Sequence, residues 1–166
     1  ELLPAQGHHI VIGAFAALAS YALFHLVTVF PLSWVALYSE QGIEDFMKME
    51  LLGAAFGACA MPLSGLIADT VGRRSMLGTL AVAIGVFSLF TPFMLGGGKP
   101  GQAAFILIGF VLLGLSYGQA AGSVTSNFLP HFRYTGAALT ADMAWLLGAA
   151  FAPVIALFLS SRFGLV

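Results

Sequence analysis

Charge is what this chain has least of. Of its 166 residues only 8% are Asp, Glu, Lys or Arg, against roughly 25% in a soluble domain. A water-facing surface needs charge for solubility, so a soluble globular domain is excluded. Six basic and seven acidic residues leave a net charge of −1, too small to attract nucleic acid or an acidic partner. Cys59 is the single cysteine. That excludes an internal disulfide and the cysteine-rich zinc sites. Its apolar neighbours predict a buried structural thiol. His8, His9, His25 and His131 have no metal-ligand residue at i+4, so no metal is expected. No G-x-x-x-x-G-K-S/T phosphate loop occurs, so energy is expected from an ion gradient and not from ATP. No cofactor is implied.

What fills the chain is apolar. Hydrophobic residues make up 60% of it, a composition built for lipid. A bilayer core of ~30 Å takes ~20 apolar residues as helix. Backbone groups in lipid must be satisfied within the segment, so each long run predicts a helix. Five runs qualify: about 10–38, 46–68, 75–95, 102–123 and 134–159. The first continues past Pro31. The joints between them are short and polar: Ser39 to Asp45, Ala68 to Arg74, Gly96 to Gly101, and Asn127 to Arg133. The chain starts at Glu1, lacks a charged-then-apolar signal segment, and ends at Val166 just after an apolar stretch. It reads as a segment of a longer protein. The fold class is therefore an all-α membrane protein with five transmembrane helices.

Small residues recur at four-residue spacing. Gly53 and Gly57 form one pair; Gly114, Gly118 and Gly122 form a ladder. Lipid gives helices no hydrophobic reason to associate, so close backbone approach matters more, and such ladders supply it. They predict a packed bundle. Pro31, Pro62 and Pro153 predict kinks. The six basic residues split evenly: Arg73, Arg74 and Arg133 fall on one side, Lys48, Lys99 and Arg162 on the other. Charge counting therefore leaves the orientation open.

A short charged island lies in the turn Gly65-Leu-Ile-Ala-Asp69-Thr-Val-Gly72-Arg73-Arg74, a G-x-x-x-D-x-x-G-R-R spacing between two spans. It resembles the cytoplasmic-loop signature of the major facilitator superfamily of secondary transporters. Arg133-Tyr134-Thr135-Gly136-Ala137, after Pro130, resembles the stretch before the eleventh helix in the metabolite:proton symporter family of that superfamily. Phe24 to Trp34, with Thr28 and Ser33, resembles that family's seventh helix. The resemblance covers nearly the whole chain. It implies helices seven to eleven of a twelve-helix fold, with the N-terminal half of the transporter as partner. It also places Arg73 and Arg74 on the cytoplasmic side of a bacterial inner membrane. There are departures. Thr70 stands where a base is usual, Ser126 where a glutamate is common, and Asp142 where glutamine is common.

On this resemblance Gly65, Asp69, Gly72, Arg73 and Arg74 form a conformational latch. The physics supports it, because a carboxylate is favoured at a helix N-terminus. The alternative is a solvated turn whose arginines fix topology. Asp142 lies about two turns into the fifth helix, where a charge costs ~2.5–3.5 kcal/mol; desolvation suits it to proton exchange. Its structural alternative is an acid paired to Arg133. Tyr21, His25 and Thr28 share one face at i, i+4, i+7, and histidine titrates near neutrality. Ser116, Gln119, Ser123 and Asn127 line one face of the fourth helix, with Tyr117 beside it; the alternative is hydrogen bonding between helices. Trp145, one turn from Asp142, is the better cavity residue, whereas Trp34 reads as an interfacial anchor. Tyr21, His25, Thr28, Gln119, Asp142 and Trp145 are thus the candidate substrate and proton site. The expected function is proton-coupled transport of a small polar metabolite, an organic acid or osmolyte, by alternating access. A membrane scaffold or assembly subunit is the alternative. A membrane-embedded enzyme comes last.

Overall fold

The computed structural model describes residues 2–39, 42–125 and 128–163. Among them are six α-helices, one short 3-10 turn and no strand. The helices are α1 (Leu2–Thr28), α2 (Phe30–Tyr38), α3 (Ile43–Val71), α4 (Arg73–Gly96), α5 (Gly98–Thr125) and α6 (Arg133–Phe163). Five candidate spans are long and apolar enough to cross a membrane. The all-helical, five-span class expected from composition is observed.

The first apolar run is two helices, not one. The break falls at Val29, which keeps α-helical angles (φ −96°, ψ −47°). Its N–H still donates to the His25 carbonyl at 3.1 Å. Pro31 sits in the first turn of α2 and has no N–H to extend the α1 ladder. Pro62 lies inside α3 without ending it, and α6 runs on past position 153. The joints are shorter than expected. Between α3 and α4 only Gly72 is non-helical. Its φ of +86° is open to glycine and costly for other residues. Its N–H donates to the Ala68 carbonyl at 2.9 Å, and its own carbonyl accepts from Met76 N–H at 3.0 Å. One residue thus serves as the cap of both helices.

α5 is the axis of the bundle. Its span is 44% buried, against 24–28% for the others. It packs on α3, α4, α1 and α6, while α1 also packs on α6. The α3–α5 seam is closed by glycine. A Cβ at Gly57 would lie 2.8 Å from the Phe110 carbonyl oxygen, and one at Gly114 would strike the Gly57 carbonyl oxygen. Gly57 and Gly114 therefore meet, while Gly53 admits Ile106 and Phe110 of α5 and Gly118 admits Met61 and Ser64 of α3 along the same seam. Leu23, Val27, Phe46, Phe87, Phe105 and Ile106 fill the main core. α4 shows two faces: Leu80, Ile84 and Phe87 point inward, while Val82, Leu89 and Phe93 are left exposed.

Two expectations about apolar residues are corrected. Trp34 is not an anchor at a bilayer interface; it is 9% exposed and belongs to the main core with Val35 and Phe46. α2 folds its aromatic face against α1 and α3 instead of outward. Cys59 is not buried; its thiol is exposed on α3. An apolar neighbourhood in sequence predicts burial in water, but in lipid the outer face is equally apolar.

Candidate functional site

Three helices bring one aromatic group together. Gly148 on α6 lets that helix approach α1, for a Cβ there would lie 3.1 Å from the Tyr21 Cβ and 3.2 Å from the Ala22 nitrogen. One turn earlier on α6, Trp145 lies against α1. Its ring is 5.6 Å from Tyr21, 5.2 Å from Phe24 and 5.1 Å from His25, centroid to centroid. Tyr117 of α5 meets Tyr21 edge-on at 5.5 Å. Edge-to-face contacts at such distances are favourable through the ring quadrupoles. Phe24 and Tyr117 also line a cavity of about 320 Å³ that reaches Gly57, Met61 and Phe110 on α3 and α5. That volume fits a small metabolite.

Polar groups are sparse here, and one is unsatisfied. His25 Nε2 is buried with no hydrogen-bond partner. A histidine ring nitrogen left unmatched is available to a proton or a ligand donor. Asp142, one turn before Trp145, is exposed and makes no hydrogen bond or ion pair among the described residues. It is not paired to Arg133, since the one ion pair among the described residues is Lys48 with Asp45 at 3.3 Å.

The other sequence candidates lie elsewhere. Gln119 is 3% exposed. Its Nε2 donates to Ser64 Oγ of α3 at 3.2 Å, and Ser64 Oγ donates in turn to the Met61 carbonyl at 2.7 Å. Ser116 is buried and donates to the Leu113 carbonyl at 3.2 Å. The stretch Gly114-Leu-Ser116-Tyr-Gly118 has the spelling of a hydrolase nucleophile elbow. That elbow needs a strand-to-helix turn, whereas Ser116 sits in mid-helix. Thr28 Oγ1 donates to the Phe24 carbonyl at 2.7 Å and faces a different cavity, shared with Glu50 and Lys48. Ser126 and Asn127 lie outside the described residues, as do the side chains of Ser123 and Pro153 and the surroundings of Gly122.

At the signature turn, Gly65, Asp69, Gly72, Arg73 and Arg74 are all exposed. Asp69, Arg73 and Arg74 make no side-chain hydrogen bond or ion pair among the described residues. Thr70 donates to the Ile67 carbonyl at 2.8 Å. The turn therefore presents free charge at one end of the bundle.

Sequence reasoning overlooked Phe24 and Glu50. Phe24 is adjacent to His25 on the face that meets Trp145, a pairing no local pattern announces. Glu50 had a signal. The second apolar run starts at Phe46, and Glu50 lies four residues inside it.

The chain is similar to bacterial transport proteins. It is 33% identical over 162 residues to the inner membrane metabolite transport protein YhjE of Escherichia coli, covering 93% of this chain and 37% of that protein. It is 32% identical to a metabolite transport protein of Haemophilus influenzae, over 94% of this chain and 38% of the relative. It is 29% identical to the shikimate transporter of Escherichia coli, over 91% of this chain and 36% of the relative. The chain thus spans somewhat over a third of the length of these relatives. No family model matches, and no solved structure matches at a significant level. The relatives bear out the resemblance to bacterial metabolite transport proteins. Each of these relatives is named as a transport protein.

Proposed function

From the premise that this chain is homologous to bacterial metabolite transport proteins over nearly its whole length, we propose that it carries helices seven to eleven of a twelve-helix secondary transporter in the bacterial inner membrane. The transporter moves a small polar metabolite, an organic acid or osmolyte, together with a proton, by alternating access. An N-terminal half completes the central cavity. The observation that carries this reading is the aromatic group of Tyr21, Phe24, His25, Tyr117 and Trp145, which joins three helices beside a cavity. Rigid aromatic walls contribute contact area at low entropic cost, and a few polar atoms set orientation. His25 Nε2 supplies one such atom, and Asp142 is the acid nearest in sequence to Trp145.

Asp142 is the coupling acid in this reading. Its carboxylate is costly within a span, by ~2.5–3.5 kcal/mol, and no partner among the described residues offsets that cost. Protonation removes it. A proton taken up on one side and released on the other ties substrate movement to the pH gradient. Asp69, Arg73 and Arg74 act at the bundle end. Unpaired here, they find partners in the conformational state where that end is closed.

The test uses full-length protein reconstituted in liposomes. Uptake of a panel of small acids and osmolytes is measured with and without a pH gradient. Asp142→Asn mimics the protonated carboxyl in size, so it should lose gradient-driven accumulation and keep exchange of substrate down its own gradient. Accumulation retained in Asp142→Asn refutes the role of this acid. Accumulation by the wild type that ignores the pH gradient refutes proton coupling altogether.

A further inference from the structure

A second acid lies within the spans, at the other end of the bundle. Glu50 sits about two turns past the start of α3, inside the span Ile43–Val71. From Glu50 to Asp69 the helix rises roughly 28 Å at ~1.5 Å per residue. The side chain is half-buried, and its Oε1 is buried with no hydrogen-bond partner. It lines a cavity of about 520 Å³ whose walls include Thr28 of α1, Met47 and Lys48 of α3, and Phe110 of α5.

The chemistry of those walls favours the neutral acid. A carboxylate only accepts hydrogen bonds, and the buried oxygen here receives none. Lys48 is the other charged group among the described walls, but its ammonium pairs with Asp45 at 3.3 Å, where both side chains are largely exposed. α1 brings Thr28 to the cavity and α5 brings Phe110, and neither titrates in the physiological range. α2 and α4, which also pack against α3, bring no described residue to it. Thr28 spends its hydroxyl proton on the Phe24 carbonyl, so its oxygen has only lone pairs to offer. An acceptor suits a protonated carboxyl, which has a proton to give, and does nothing for a carboxylate. One turn before Thr28 on the same helix stands His25, with its own unpartnered Nε2.

We propose that Glu50 is a proton-binding carboxyl, reached from the bundle end opposite the Gly65–Arg74 turn, and that Thr28 accepts the hydrogen bond of its protonated form. The step is a bare proton transfer. Hydronium gives a proton to a Glu50 carboxylate oxygen and leaves as water, and release reverses it. The consequence for transport rests on the coupling reading above; the protonation itself does not.

Two measurements on the full-length protein in liposomes keep these apart. Dicyclohexylcarbodiimide adds to protonated carboxyls in apolar surroundings, and peptide mass spectrometry locates the adducts across a pH series. An adduct on Glu50 is expected, its rate falling about tenfold per pH unit once the carboxyl ionises. Thr28→Val, which removes the acceptor, should move that fall to lower pH. An absent adduct, or a rate that is flat with pH, overturns the proposal in wild-type protein, with no variant that must fold. In the second measurement Glu50→Gln should lose the pH-gradient component of uptake. Its retention at the wild-type level removes Glu50 from the transported proton's route. If wild-type uptake itself ignores the gradient, the coupling reading fails, and the labelling still decides whether Glu50 binds a proton.

Discussion

Replacing Gly114 by alanine adds one methyl group where the bundle has no room for it. The new Cβ would strike the Gly57 carbonyl oxygen, and it would lie 2.9 Å from the Gly57 carbonyl carbon and 3.0 Å from the Ala60 Cβ. These atoms belong to a helix backbone, which cannot swing aside as a side-chain tip does. α3 and α5 must part, and contacts are lost along the seam, including the Gln119–Ser64 hydrogen bond one turn on. Overpacking costs ~1–3 kcal/mol, and the upper end applies where backbone is struck. The lost hydrogen bond adds ~0.6 kcal/mol. Alanine returns up to ~1 kcal/mol through helix propensity. A net loss of roughly 2–3 kcal/mol remains, which is about a hundredfold in the folded population. Gly85→Ala is the control. It lies inside α4, is exposed, and has nothing within 4 Å of its Cβ, so it should match or exceed wild type. Denaturant unfolding of full-length protein in detergent micelles, followed by tryptophan fluorescence, reads both. A Gly114→Ala midpoint at or above wild type refutes the interlocked seam.

Two further expectations follow from side chains on the same helices. Asp69→Asn should slow transport severalfold at unchanged membrane abundance, because the dipole term it removes, ~0.3–2 kcal/mol, biases one conformational state and not folding; wild-type turnover at matched abundance reduces the turn to a topology signal. Gln119→Leu should lower the unfolding midpoint by the worth of one interhelical hydrogen bond, ~0.6–1.5 kcal/mol, and a raised KM with an unchanged midpoint places that amide against substrate and not against Ser64.

The spans were legible because length and hydropathy report directly on the bilayer. The Gly72 joint was legible too, as a glycine between two long runs. Facing direction was not. In water, apolar means inside, so Cys59 and Trp34 could be sorted by polarity. In lipid both faces of a helix are apolar, and sorting depends on which helix lies opposite. Cys59 turned out exposed and Trp34 buried for that reason. Glycine spacing did carry direction, because a ladder has value only against another backbone; Gly57 and Gly114 meet as their spacing suggests. The candidate site was half legible. Tyr21 and His25 were chosen as one face of the first helix and Trp145 separately, and the three are found together. Gln119 showed its capacity for hydrogen bonds, but its partner Ser64 lies 55 residues away, beyond any local pattern.

Satisfaction sorts the polar residues of this bundle better than position does. Inside a bilayer there is no water to complete a hydrogen bond, so each polar side chain needs a partner in the protein. The hydroxyls find one at once: Thr28, Ser64, Ser88, Ser116 and Thr140 all donate to a carbonyl three or four residues earlier. Gln119 finds one across the α3–α5 seam. These residues explain themselves as structure, each through a hydrogen bond worth about 0.5–1.5 kcal/mol net. His25 and Glu50 do not, since each buries an atom that bonds to nothing among the described residues. A helix gains no stability from such groups and bears their desolvation cost. What distinguishes them from the hydroxyls is that each can change its charge by taking up or losing one proton. Gln102 Oε1 is likewise buried and unbonded among the described residues, but an amide has no proton equilibrium to exploit; the histidine and the carboxyl are the groups whose cost can be switched, and the aromatic cluster and the Glu50 cavity are where a moving proton would be felt.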